Sequence, residues 1–378
     1  MHSNIPTAQL RSTAQSEAPS GAWNTLTRWW HARAPRAPVN RCLNLALQGG
    51  GAHGAFTWGV LDALLEEPSI NFDALSGSSA GAVNAVVMTQ GWIRGGRAGA
   101  RAALRDFWLE VGQQIPWPMV TQGQGDSINL TVATRVLAQW MGLFSPAHIN
   151  PLGLNPLRDL LIKHIDFESI RRSSPFLLYV GATHVNTGKL RLFREHELQL
   201  EMLLASACLP RIHHTVAVDG EQYWDGGYSA NPALFPLLHD SRSQDILLIL
   251  LAPQLQDDVG QSVEAIASRI QDLGFTTHLL REMQMLAHAA SGKSRSDVNQ
   301  ARFHMIDAGN LEVMRRNETK MLAYAPFLEM LRDYGRERAQ HWLAENLHCV
   351  GRRNTLDWSH WMETGATFDP RRQAILNG

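Results

Sequence analysis

Hydrophobic positions along this chain switch between two periods, and each switch marks an element. The run "CLNLALQ" (42–48) is apolar and of strand length. "GAFTWGVLDALLEE" (54–67) follows, with Phe56, Val60 and Leu64, then Leu61 and Leu65, at helical spacing. Three glycines, 49–51, join the two. The order recurs at once: "INFDALSG" (70–77) predicts a short strand and "AGAVNAVVMTQGW" (80–92) a helix of small and apolar residues. Strand, helix, strand, helix with short joins predicts a parallel βαβ start.

Further helices are predicted over 101–112, 129–141 and 155–165, and strands over 175–185 and 189–193, joined by the turn signal "NTG". "DILLILLAP" (245–253) is continuously apolar, the pattern of a central parallel strand buried on both faces. Beyond it the pattern predicts mostly helix from about 258 to 347, and no internal repeat is found. The fold class read from this order is α/β, a central, mostly parallel sheet between helices.

A chain of 378 residues is long enough for one large α/β domain with extensions. Residues 1–40 are rich in Ser, Thr, Ala, Gln and Pro without sustained period and read as a weakly ordered tail. Within it Trp23, Leu26 and Trp30 follow helical spacing beside Arg28, Arg33 and Arg36. A short helix packed on the domain surface is the preferred reading over an interfacial membrane anchor.

Composition narrows the partners. Lys plus Arg number 34 against 35 Asp plus Glu, so no basic stripe argues for nucleic acid. Three cysteines without paired spacing, Cys42, Cys208 and Cys349, indicate neither a disulfide framework nor a zinc ribbon and fit a reducing compartment. No apolar run reaches the roughly 18 residues of a membrane span, and the N-terminus lacks a signal-type apolar core. The chain reads as soluble and cytoplasmic, with peripheral membrane contact left open; no cofactor and no metal are expected, and oligomeric state is not readable.

Three short stretches could carry chemistry. Gly49, Gly51 and Gly54 match the dinucleotide fingerprint after a strand and before a helix, with Asp73 available as its acidic partner. A Walker loop is excluded because no Gly-Lys-Ser/Thr follows. What all such readings share is physical: glycines open the backbone to a ligand and a helix N-terminus offers free N–H groups. "GSSAG" (77–81) is a nucleophile elbow at a strand-to-helix junction, and only Ser79 has glycines, Gly77 and Gly81, two residues to either side. "VDGEQYWDGGYSANPAL" (218–234) holds two Asp-Gly pairs. Asp219-Gly220 reads as a hairpin turn, whereas Asp225 ends an aromatic strand before Gly226 and Gly227 and a helix candidate "NPALFPLL". His239, His278 and His304 could follow the acid as a triad base, but none lies in a loop motif; His213 and His214 precede it and read as structural.

Together, "GGGAHG" (49–54), "GSSAG" and "DGG" (225–227), with "YVGATHVNTGKLRLF" (179–193) and "LLASACLP" (203–210) between them, resemble the patatin-like phospholipase family over about residues 43–240. The resemblance implies a three-layer patatin-like fold, with 241–378 as final core strand or strands plus a mostly helical extension. It implies a Ser-Asp dyad without catalytic histidine: Ser79 as nucleophile, Asp225 as proton acceptor, and amides of Gly49, Gly50 and Gly51 as the oxyanion hole. The substrate implied is a lipid or other acyl ester. A conventional Ser-His-Asp esterase and a silent lipid-binding protein are the alternatives. His53 departs from the Arg or Lys usual in the family, and its charge decides whether it supports the glycine loop. A dyad base at the ordinary Asp pKa of about 3.9 would be weak, so Asp225 is expected to be desolvated.

Overall fold

The computed structural model describes residues 41–114, 121–123, 128–131, 134, 148, 150, 153–252, 261–291, 300–309 and 311–358. The tail at 1–40, with its Trp and Arg residues, lies outside them, as does most of the helix predicted over 129–141. In chain order the elements are β1 (Arg41–Leu47), α1 (Gly54–Glu66), β2 (Ile70–Ser78), α2 (Ala80–Val111), β3 (Thr121–Gln122), β4 (Asn129–Leu130), α3 (Pro156–His164) and α4 (Phe167–Ser173). There follow β5 (Leu177–His184), β6 (Leu190–Arg194), α5 (Leu200–Ser206), β7 (Val216–Val218), β8 (Glu221–Asp225), α6 (Phe235–His239) and β9 (Asp245–Leu250). The last are α7 (Val263–Ser291), β10 (Arg302–Asp307) and α8 (Ala325–Asn346).

The main sheet has eight strands, in the order β10-β9-β1-β2-β5-β8-β7, with β6 paired to β5. Strands β10, β9, β1, β2 and β5 run parallel, and β6, β8 and β7 add antiparallel pairs. Alternation sends Leu247 and Ile249 of β9 into one core layer with Leu45, Phe56, Leu61 and Phe327. Ile246, Leu248 and Leu250 enter the other layer with Tyr179, Met283 and Phe303. Helices therefore cover both faces, as the unbroken apolar pattern of β9 requires.

Three expectations need correction. β10, "RFHMID", lies inside the stretch read as mostly helical. Its buried His304 and its Arg302 are satisfied by Asp245 of the neighbouring strand, at 3.0 Å from His304 Nε2 and 2.6 Å from Arg302 Nη2, a pairing a single-strand pattern cannot show. The helices expected over 80–92 and 101–112 are both present, as the two halves of α2 on either side of a kink at Gly95 and Gly96. "NPALFPLL" is helical only from Phe235, after a one-turn 3-10 helix over Gly226–Tyr228. Asn129–Leu130 is a short strand rather than a helix start. The Asp219-Gly220 turn is as expected, with φ of 52° and 83° between β7 and β8.

The C-terminal segment is built into this architecture. α8 lies on α1, where Gly59 faces the carbonyl of Arg332 and Gly335 that of Phe56 so closely that a Cβ at either would strike backbone. Among the described residues no helix is long and apolar enough to cross a membrane.

Candidate active site

Parallel strands bring their carboxyl ends to one sheet edge, and β1 and β2 deliver the glycine loop and Ser79 there side by side. Ser79 is the one residue between β2 and α2, with φ 54° and ψ −128°, a conformation rare for a side-chain-bearing residue. Its amide is held by the carbonyl of Ser206, at 3.1 Å, and by the Ser206 hydroxyl, at 3.0 Å, at the end of α5. That contact explains "LLASACLP" in the sequence, whose serine buttresses the turn. The Ser79 side chain stays partly accessible while Ser78 beneath it is buried and donates to Ala230 O at 2.6 Å.

The glycine loop lies directly against this turn: a Cβ on Gly49 would stand 2.7 Å from Ser79 Cβ. Only glycine permits that approach. Asn231 clamps the loop, its Oδ1 accepting from Gly49 N at 2.7 Å and its Nδ2 donating to Gly49 O at 3.3 Å. Gln48 Oε1 accepts from the amides of Leu251 and Ala252 at 2.7 and 2.9 Å, tying the loop to the end of β9. The Gly49 amide is thus committed to Asn231, unlike its assignment as an oxyanion donor. Among the described residues no acceptor is found for the amides of Gly50 and Gly51.

Asp225 ends β8 and is fully buried. Oδ1 accepts from Gly227 N at 2.8 Å, the Asp225 amide donates to Cys208 O at 2.8 Å, and Thr183 Oγ donates to its carbonyl at 2.8 Å. Oδ2 is buried without a hydrogen-bond partner of ordinary geometry. Burial pushes the carboxyl up to about 7, against the opposing pull of the Gly227 amide and of the Ser79 hydroxyl beside it.

His53 is fully buried, and its ring meets Phe327 edge-on at 6.5 Å. Its Nε2 lies 2.8 Å from Thr319 Oγ, whose own proton is directed at the carbonyls of Val313 and Arg316, both 2.7 Å away. Nε2 therefore carries the proton, and Nδ1 is left buried without a partner. Burial first, and the Lys320 charge second, hold its pKa well below the ordinary value. His53 is a neutral anchor between the glycine loop and the C-terminal segment, not a cation in the loop.

The remaining candidates fall elsewhere. Among the described residues no histidine is hydrogen-bonded to Ser79 or Asp225. His304 is held by Asp245 and by Thr355, His213 Nδ1 accepts from Leu209 N at 3.3 Å, and His214 Nε2 lies 2.8 Å from Asn150 O. Asp73, the acid a dinucleotide site would need, is occupied by Arg242 and by the Ser243 amide. No group of His, Cys, Asp and Glu suited to a metal occurs among the described residues. Asn231, Gln48, Ser206 and Thr319 were missed by sequence reasoning. Each acts through a contact 127 to 266 residues away, although Gln48 and Asn231 stand near the glycine and Asp-Gly-Gly motifs and Ser206 lies within "LLASACLP".

The sheet order and the site at the carboxyl ends of β1 and β2 define an α/β protein with an elbow serine at a strand-to-helix turn. The family model described as patatin-like phospholipase matches residues 45–238, and the chain belongs to that family, a family of lipid acyl hydrolases. Among solved structures it is similar to VipD from Legionella pneumophila, at 15% identity and a TM-score of 0.34 over 82% of this chain and 67% of that one. No curated protein matches.

Asn231→Ala is expected to lower kcat about 100-fold with a smaller change in KM, because the loop loses its clamp and shifts relative to Ser79. Steady-state kinetics on one ester checks this, and an unchanged kcat would remove Asn231 from the positioning role.

Proposed function

We propose that the chain hydrolyses carboxylic ester bonds of lipids through a dyad of Ser79 and Asp225. The observation that carries this reading is the unpartnered Oδ2 of a fully buried Asp225 beside the Ser79 hydroxyl. Ser79 Oγ attacks the acyl carbon while its proton passes to Asp225 Oδ2. The amides of Gly50 and Gly51 receive the charge that develops on the carbonyl oxygen, with Gly49 holding the loop in place rather than donating. Collapse of the tetrahedral species returns the proton to the departing alcohol and leaves an acyl-Ser79 ester. Water, deprotonated by the same carboxylate, then releases the fatty acid.

The raised pKa of Asp225 is what makes this chemistry reasonable, since a base near the working pH transfers a proton more effectively than one at 3.8. Only the ionised form accepts a proton, so kcat/KM should rise with pH through about 7 and level off above it. The test is a hydrolysis panel across acyl lengths and phospholipid and lysophospholipid classes, with the pH profile taken on the best substrate. A flat profile from pH 5 to 8 would refute Asp225 as the base. A lipid substrate, rather than a general ester, requires longer acyl chains to be preferred over acetate.

A further inference from the structure

The outward side of α7 carries large apolar residues that nothing in the described fold covers. Val263, Ile266, Ile270, Leu273 and Leu280 follow one another at intervals of three, four, three and seven, so they form one continuous stripe along the helix. Their exposures run from 36% at Leu280 to 79% at Val263. Thr277 fills the gap in that spacing, and its hydroxyl is turned back onto Leu273 O at 2.6 Å, which leaves its methyl group to the stripe. A stripe of this length exceeds the scattered apolar exposure normal for a protein surface.

Charge is distributed unevenly around it. Arg269 stands three residues after Ile266 and four before Leu273, and Arg281 stands four after Thr277, so both border the stripe. Asp272 and Glu282 are engaged with the protein body. Asp272 Oδ1 accepts from Lys320 Nζ at 2.7 Å, and Glu282 accepts from the amides of Leu234 and Phe235 at 2.7 to 3.2 Å. The inward side of the same helix touches the catalytic loop: the Phe275 ring fills the space a side chain on Gly227 would need and lies 4.7 Å from the Tyr228 ring. One helix diameter, about 10–12 Å, therefore separates the stripe from the Asp225 loop.

We propose that this stripe, bordered by Arg269 and Arg281, seats the protein on an anionic lipid surface, with the apolar side chains entering the acyl boundary. An apolar face bordered by cations with the acids turned away is the arrangement that binds such surfaces. A second copy of the chain would offer the same two arginines to one another, which disfavours self-association through this face. The inference rests on lipid being the substrate for its purpose, though not for its test.

The test uses the full chain carrying Ser79→Ala, so that no lipid is consumed, and large vesicles of phosphatidylcholine with or without phosphatidylglycerol. Co-sedimentation should be stronger on the phosphatidylglycerol vesicles. Ile266→Ser/Ile270→Ser should weaken binding about tenfold or more on them. Arg269→Gln/Arg281→Gln should remove most of the preference for them. Leu154→Ser, at an exposed apolar residue outside α7, should bind as the parent does. Thermal unfolding of each variant within a few degrees of the parent establishes that it is folded, and Val263→Ser/Leu273→Ser replaces any pair that is not. Binding unchanged in both stripe pairs, or a stripe pair that converts a dimer to a monomer in sedimentation velocity, overturns the proposal. Vesicle binding through the stripe by a parent protein that hydrolyses no ester would instead overturn the hydrolase reading and leave the surface standing.

Discussion

Ser79→Ala is expected to lower kcat/KM for the best ester by about 10⁴-fold or more, and Asp225→Asn by a similar factor. A 10⁴-fold loss corresponds to about 5.5 kcal/mol of transition-state stabilisation. The two losses should not add, because without the nucleophile there is no proton for Oδ2 to take, and without the base the hydroxyl remains protonated. The double variant is therefore expected to be no worse than the poorer single one, within a few-fold. Asn at 225 preserves the contact to the Gly227 amide through Oδ1, so a loss there reports basicity rather than a collapsed loop. A triple comparison with any single His→Ala variant separates this dyad from a histidine-based triad. If replacing one histidine costs as much as replacing Asp225, the dyad is wrong.

The same carboxylate should make the wild-type protein less stable than its inactive variant, in a pH-dependent way. In the unfolded chain Asp225 ionises near 3.8, whereas in the folded protein burial raises that point to about 7. Below pH 3.8 both states hold the proton and the residue contributes nothing to pH dependence. Between these values the unfolded chain gives up the proton and the folded one keeps it, so stability falls as pH rises through this window and levels off above about 7. The span of roughly three pH units sets an upper bound of about 4 kcal/mol at pH 8. Asp225→Asn removes this titration. Its melting temperature should exceed that of the wild type at pH 8 by several degrees, and the advantage should shrink steadily as pH is lowered to 5. A variant less stable than wild type at pH 8 would show that Asp225 is better solvated than its burial implies. A carboxylate buried at this cost to stability is of the kind expected where stability is given up for activity.

His53 shows how an expectation from sequence can be chemically sound and still miss its object. Its position in the glycine loop invited an electrostatic role, because histidine titrates near neutral pH. The ring is instead enclosed by Phe327 and Thr319, residues more than 260 positions later, and that enclosure keeps it neutral. The same holds for Gly49. Its place next to the strand marked it as an oxyanion donor, but Asn231 takes its amide.

The local text was sufficient wherever the physics is local. The periods of 42–48, 54–67 and 245–253 named strands and helices, because burial on one or both faces must be written into consecutive residues. "GSSAG" foretold a sharp turn that presents Ser79, since glycines two places either side are what permits it. The Asp-Gly at 219–220 foretold its hairpin for the same kind of reason. What only the tertiary structure decided were properties owned by pairs of distant residues. Buried β10 depends on Asp245 for its Arg302 and His304, the loop geometry depends on Asn231 and Thr319, and the basicity of Asp225 depends on the burial that surrounds it. Hydrogen bonding and desolvation act through space and carry no sequence period, so neither can be read until the chain has folded.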